Sequence, residues 1–119
     1  MRPNPDPGSK LKKAAPLFAA LGDPTRLALV DRLSQAEPRS IKRLTAGSVI
    51  TRQAVTKHLH VLEDAGLVRH TRRGRERIWQ LSPERLEIAR QFLLEISRRW
   101  DARLARLRHF VENSGNGPP

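Results

Sequence analysis

Apolar residues recur along this chain with a period that changes several times, and each change marks an expected element. Leu17, Phe18 and Leu21 lie on one side of a short helix expected over residues 11–21, whose start Pro16 leaves open. Asp23-Pro24 restarts the chain: Asp23 suits a cap and Pro24 the first helical position. Leu27, Val30 and Leu33, with Ala28 beside them, then predict a second helix to about Gln35. Pro38 ends a linker, and Ser40 is placed to cap a third short helix carrying Ile41 and Leu44 and closing at Gly47. Thr51 can cap a fourth helix, from Arg52 to about Ala65, in which Val55, Leu59 and Leu62 share one face. Gly66 stands where a helix C-terminal glycine belongs.

The period then shifts to two. Leu67 to Arg72 and Glu76 to Leu81 flank Arg73-Gly74-Arg75, which predicts a β-hairpin. Ser82-Pro83-Glu84 repeats the cap-plus-proline start, and a long helix follows to about Glu112. Pro3, Pro5, Pro7 and Gly8 at one end and Ser114 to Pro119 at the other predict disordered tails over residues 1–10 and 113–119. One domain over residues 11–112 remains. The expected fold is mainly α with a small β-hairpin, in the order of a winged helix-turn-helix.

Charge sharpens this picture. Lysine and arginine number 23 against 12 aspartates and glutamates, a formal charge of +11. That excess points to a polyanionic partner, nucleic acid or an anionic membrane surface, rather than to a metabolic enzyme. There is no cysteine, which excludes disulfides, thiolate metal sites and cysteine nucleophiles. No apolar run approaches the roughly 18–20 residues of a membrane span. Ala14 to Leu21 is short and leads into a helix start rather than a cleavage site.

On a wheel of residues 52–62, Arg52, Gln53, Thr56, Lys57 and His60 point largely outward, with no carboxylate until Glu63. A helix entering the major groove needs such a face, because Arg pairs with guanine O6 and N7, Gln with adenine N6 and N7, and threonine offers a hydroxyl and a methyl. Arg52, Gln53 and Thr56 are therefore the candidate base-reading residues. Thr51, Lys57, His58 and His60 are candidates for the DNA backbone; His58, beside the apolar stripe, also suits bracing the turn. An ordinary solvated face would more often mix its charges.

Arg69, Arg72, Arg73, Arg75 and Arg77 crowd the hairpin and are opposed by Glu76 alone. Arg72, Arg73, Arg75 and Arg77 suit a wing lying along the phosphates, with one Arg in the minor groove. A charged edge that blocks aggregation is the plainer reading. The uniform use of arginine, whose planar fork fits phosphate, favours the first.

In the last helix Leu86, Leu93, Trp100 and Leu107 recur every seven residues. Ala89, Ile96, Arg103 and Phe110 run beside them, and Phe92, Leu104 and Val111 widen the stripe. This is a helix-pairing seam. It predicts a homodimer through the last helix, with Leu86, Ala89, Leu93, Ile96, Trp100, Leu104 and Leu107 at the interface. Packing of the last helix on the first within one chain is compatible with this, and a basic amphipathic membrane helix is a third reading.

Three segments resemble ArsR-type winged-helix repressors. Phe18-Ala19-Ala20-Leu21-Gly22-Asp23-Pro24-Thr25-Arg26 resembles their opening, and Thr51-Arg52-Gln53-Ala54-Val55-Thr56-Lys57-His58-Leu59 their recognition helix. Glu63-Asp64-Ala65-Gly66-Leu67-Val68 resembles the exit into the wing. The likeness covers about residues 14–111. It implies a homodimeric bacterial transcription factor that binds double-stranded DNA at an inverted repeat, most often as a repressor, in the cytoplasm and at the nucleoid. It also implies that the first and last helices build the dimer, which adds Leu17 and Phe18 of the first helix to the interface. The cysteines with which many members sense metal are missing. His109-x-x-Glu112 resembles half of another metal site, but where its first half would stand the chain reads Ile96-Ser97-Arg98. The likeness is to a cysteine-free branch, with no metal or cofactor expected and room for an unidentified small-molecule effector. A nonspecific nucleoid-associated or RNA-binding protein is the alternative. No nucleophile elbow, phosphate-cradling glycine loop or HExxH motif is present, so no enzyme is expected.

Overall fold

The computed structural model describes residues 7–35, 39–47 and 49–115. The expected tails at 1–6 and 116–119, and Pro38 at the end of the linker, lie outside the described residues. In chain order come α1 (Pro7–Leu21), α2 (Pro24–Ser34), β1 (Arg39–Ser40), α3 (Ile41–Leu44) and α4 (Arg52–Asp64). The hairpin β2 (Val68–Arg73) and β3 (Glu76–Leu81) follows, then α5 (Pro83–Gly115).

α1 begins at Pro7 rather than at 11, because proline at the first helical position gives up an N–H that has no partner there. The helix continues through Pro16; burial of Ala14, Leu17 and Ala20 on its inner face offsets the lost backbone hydrogen bond. α5 likewise runs past Glu112 to Gly115. α2 is capped by Asp23, whose Oδ2 accepts from the backbone N–H of Thr25 at 2.9 Å and of Arg26 at 3.1 Å. Its inner face differs from the expected one. Leu29 and Leu33 are buried, and Leu27 is 51% exposed. Leu27 stands two residues, about 200° of helical turn, from Leu29 and so points away from the core.

Ser40 caps α3, which makes a single turn rather than reaching Gly47. The same residue belongs to β1, a strand the sequence pattern does not show, paired antiparallel with β3 through Arg39↔Trp79 and Ser40↔Ile78. The sheet order is β1-β3-β2. Thr51 caps α4 by accepting from the Ala54 N–H at 3.2 Å. At its other end Gly66, with φ of 81°, donates to the Glu63 carbonyl at 2.8 Å, and Leu67 donates to Leu62 at 2.9 Å. This pair of bonds closes the helix and turns the chain into β2. The hairpin runs in register from Val68↔Leu81 to Arg73↔Glu76, around a turn whose first residue, Gly74, has φ of 66°.

The chain divides after Ala89. Up to that point one apolar core unites Leu17, Leu29, Leu33, Leu44, Val55, Leu59, Leu62, Leu67, Val68, Trp79 and Ala89. From Arg90 on, α5 continues as a separate helical unit whose large apolar side chains are exposed, among them Leu93, Trp100 and Phe110.

Candidate nucleic-acid interface

α4 owes its orientation to Val55, Leu59 and Leu62, which are all but fully buried and leave the opposite face open. Arg52, Gln53 and Lys57 are exposed on that face, in the first turns after the Thr51 cap. Thr56 is half-buried, and its hydroxyl donates to the Arg52 carbonyl at 2.8 Å. With that hydrogen engaged, Thr56 offers a partner an acceptor oxygen, which suits an adenine or cytosine amino group, and a methyl, which suits the methyl of thymine. Thr51 is exposed; its Oγ1 accepts from the backbone and keeps its own hydrogen for a phosphate.

The two histidines of α4 have protein partners. His58 Nδ1 lies 3.4 Å from the Arg26 guanidinium and 3.9 Å from Asp23 Oδ2, so the ring braces α4 against the start of α2. His60, expected outside, meets Trp79 edge-on at 5.7 Å between ring centroids and stands 3.5 Å from Glu63. Its wheel position lies off the buried stripe, and the ring meets the indole of the hairpin from the side of α4.

In the wing, Arg72, Arg73 and Arg75 are exposed and Arg77 is half-buried. The register sets Arg72 directly opposite Arg77. Like charges facing across a strand pair destabilise the pair, so this hairpin is better suited to an anion between the two guanidiniums than to solvent alone. Arg69 behaves differently: with the Gln80 amide oriented carbonyl-first, its guanidinium donates to that side chain at 2.7 and 3.2 Å.

The helix and the wing share a cleft of about 470 Å³. It is lined by Ser40, Ile41 and Lys42 from β1 and α3, Arg52 and Thr56 from α4, and Arg75, Glu76 and Arg77 from the wing. Four cations face one carboxylate there, an electrostatic setting made for phosphodiesters. Ser40 and Lys42 are additions to the sequence reading. The pairing of β1 with β3, together with the packing of α3 on α4, brings them here.

The residues expected at a dimer interface fall into two groups. Leu17 and Ala89 are buried in the chain's own core, and Phe18 and Leu86 are partly buried against it. Leu93, Ile96, Trp100, Leu104 and Leu107 are exposed, with Trp100 at 57%. In the last turns of α5, His109 Nε2 pairs with the Asn113 amide at 2.8 Å. Among the described residues no group of three His, Cys, Asp or Glu side chains is placed to hold a metal ion. No helix among them is long and apolar enough to cross a membrane.

A capped reading helix with an open face, a hairpin of arginines and a cleft between them define a winged helix-turn-helix DNA-binding protein. Residues 21–71 match the family described as "Helix-turn-helix domain". Over 77 residues the chain is 43% identical to the uncharacterised HTH-type transcriptional regulator YuzN of Bacillus subtilis (strain 168), covering 60% of this chain and 84% of YuzN. An ArsR-like transcriptional regulator from Rhodococcus sp. RHA1 superimposes with a TM-score of 0.66 at 33% identity, covering 83% of this chain and 92% of that one. A winged helix-turn-helix domain from Mycobacterium bovis, described as homodimeric in solution, shares the fold with a TM-score of 0.61 at 24% identity. That match covers 82% of this chain and 88% of the Mycobacterium bovis domain. The chain belongs to the ArsR family of DNA-binding transcriptional regulators.

Proposed function

We propose that this regulator is a homodimeric repressor that binds an inverted-repeat operator. The observation that carries the reading is the convergence of Arg52 on α4 with Arg75 and Arg77 of the wing on one cleft, beside Lys42. In this reading α4 enters the major groove, where Arg52 and Gln53 meet base edges and Thr56 presents its methyl. Thr51 and Lys57 take phosphates on one side of the cleft, and Arg72, Arg73, Arg75 and Arg77 on the other. His58 and His60 serve the DNA backbone indirectly, by holding α4 in place.

The dimer is supported by the seam on α5. Leu93, Ile96, Trp100, Leu104, Leu107, Phe110 and Val111 are all more than 40% exposed in the single chain. A soluble protein rarely leaves so long an apolar stripe uncovered. A second copy gives it cover, with two reading helices about 34 Å apart facing successive half-sites. Trp100 is then a packing anchor of that seam.

Selection of bound duplexes from a random pool, followed by titration of the winner against a scrambled duplex at physiological salt, tests this. A palindromic winner bound about a thousandfold more tightly is the expected result. Equal binding to every duplex would leave the nonspecific alternative instead. Transcription from a promoter carrying the selected site should fall when the protein is added.

A further inference from the structure

We propose that Glu63 is a positioning residue: it clamps the wing to the reading helix, and discrimination between operator and other DNA depends on that clamp. The inference rests on the DNA-binding reading above. Glu63 sits in the last turn of α4 and divides its carboxylate between two histidines. Oε2 lies 2.5 Å from Nδ1 of His70 on β2, and Oε1 lies 3.5 Å from Nδ1 of His60, one turn back on α4. A carboxylate only accepts hydrogen bonds, so the His70 Nδ1 carries a hydrogen and donates it. Both rings rest on Trp79, which is wholly buried on β3. His70 stacks at 4.7 Å with a 43° tilt and His60 at 5.7 Å edge-on. One carboxylate and one indole thus bring α4, β2 and β3 to a single point.

The backbone ties the hairpin to α4 through the turn at Gly66, and the shared core packs Leu59 and Leu62 with Val68 and Trp79. Apolar packing is non-directional, and Glu63–His70 adds a directional link between the two elements. Glu63 is also the first carboxylate after the basic stretch of α4. On a protein that binds a polyanion its charge opposes binding, so its favourable work lies within the protein.

Nonspecific affinity follows the number of phosphate contacts and is tolerant of the angle between helix and wing. Base reading is not: side chains must sit within about 0.5 Å and 10–20° of the productive geometry. Loosening the clamp should therefore lower the ratio of operator to scrambled-duplex affinity and leave the salt dependence of nonspecific binding in place.

The test compares the full-length protein with Glu63→Ala, His70→Ala, their combination and Glu63→Gln, with circular dichroism as the check on folding. Two readouts are needed. One is the affinity ratio at fixed salt. The other needs no DNA: whether one alignment tensor fits the residual dipolar couplings of residues 52–64 and 68–81 together. The expected result is a loss of about tenfold or more in the ratio for each single variant, with the double variant no worse than either. The shared tensor should be lost as well. Glu63→Gln, which keeps an acceptor and loses the charge, should recover most of both. Should Glu63→Ala not fold, His70→Leu, which has no donor for the carboxylate, carries the same comparison. The proposal is overturned if the shared tensor survives loss of the carboxylate, if the two single variants add, or if Glu63→Gln behaves like Glu63→Ala. If the unaltered protein prefers no duplex, the operator reading and the discrimination role fall together, and the couplings still decide whether Glu63 holds the wing.

Discussion

The guanidinium of Arg26 donates to Nδ1 of His58 across 3.4 Å, tying the start of α2 to the middle of the reading helix. Arginine has donors only, so Nδ1 accepts and a neutral His58 carries its hydrogen on Nε2. Arg26 Nε also donates to the Ala20 carbonyl at 2.5 Å, so the last turn of α1 joins the same knot. At its centre is Asp23, whose carboxyl is held below its ordinary 3.8 first by the backbone N–H of Arg26 and then, against an opposing desolvation, by the charge of Arg26 and the backbone N–H of Thr25.

A depressed carboxyl stabilises the folded chain fully above its ordinary value, and that contribution is lost as pH falls through the lower folded value. Melting followed by circular dichroism should show it. The unaltered protein should lose thermal stability on acidification below its ordinary value of 3.8 more steeply than Asp23→Asn, whose amide still caps α2 but does not titrate. Parallel acid limbs for the two proteins would remove Asp23 from the knot.

Much of this fold is legible in the chain because each helix marks its own start. Asp23, Ser40 and Thr51 cap where the spacing places them, and Gly66 ends α4 with the positive φ expected of it. What the pattern does not show is contact between segments far apart. A two-residue strand has no period, so β1 is invisible, and with it the route of Ser40 and Lys42 into the cleft. A wheel points His60 outward and does not reveal the indole of Trp79 that the ring meets in the hairpin. It likewise shows Leu27 as apolar without showing which side of α2 the core lies on.

Gly66 illustrates a local requirement with a tertiary one added. A Cβ there would stand 2.8 Å from Cγ of Arg85, in a backbone conformation with φ of 81°. Gly74 has φ of 66° and nothing within 4 Å of the same imagined atom. Gly74→Ala should cost the left-handed penalty alone, about 1–2 kcal/mol. Gly66→Ala should cost more, and Arg85→Ala in the same chain should return the excess. Urea denaturation of the three variants measures it; equal costs for the two glycines would show that Arg85 yields freely.

Trp79 fills the centre of the core at 0% exposure, yet among the described residues its Nε1 finds no hydrogen-bond partner. Its packing stabilises and its buried donor opposes. Trp79→Ala should cost about 3–5 kcal/mol. Trp79→Phe keeps most of the ring contact and removes the donor, so its cost should be about 1 kcal/mol or less. Denaturant midpoints that fall equally for both variants would mean that the indole N–H has a partner in solution.

The reading helix and the wing should fail in different ways. Gln53→Ala should relax specificity at one base pair by about 1–3 kcal/mol, whereas Arg75→Ala should weaken binding to every duplex and lower the salt slope. Selected-sequence logos and salt titrations separate the two. An unchanged logo for Gln53→Ala would remove Gln53 from base reading.

Arg72 faces Arg77 across the hairpin, and this pair sets stability against function. Without a bound anion the two guanidiniums repel, and a carboxylate in one position would turn repulsion into attraction. Cross-strand pairs of this kind differ by about 0.2–1 kcal/mol. Arg72→Glu should therefore raise the denaturation midpoint of the free protein. The same change removes a cation from the wing and sets an anion against the phosphates, so affinity should fall for all duplexes alike, most steeply at low salt. If DNA binds between these charges as proposed, the order reverses: the unaltered protein should be the more stable of the two in complex. Melting curves with and without DNA measure both halves. A variant that is destabilised when free, or that binds DNA undiminished, would show that Arg72 and Arg77 do not share an anion.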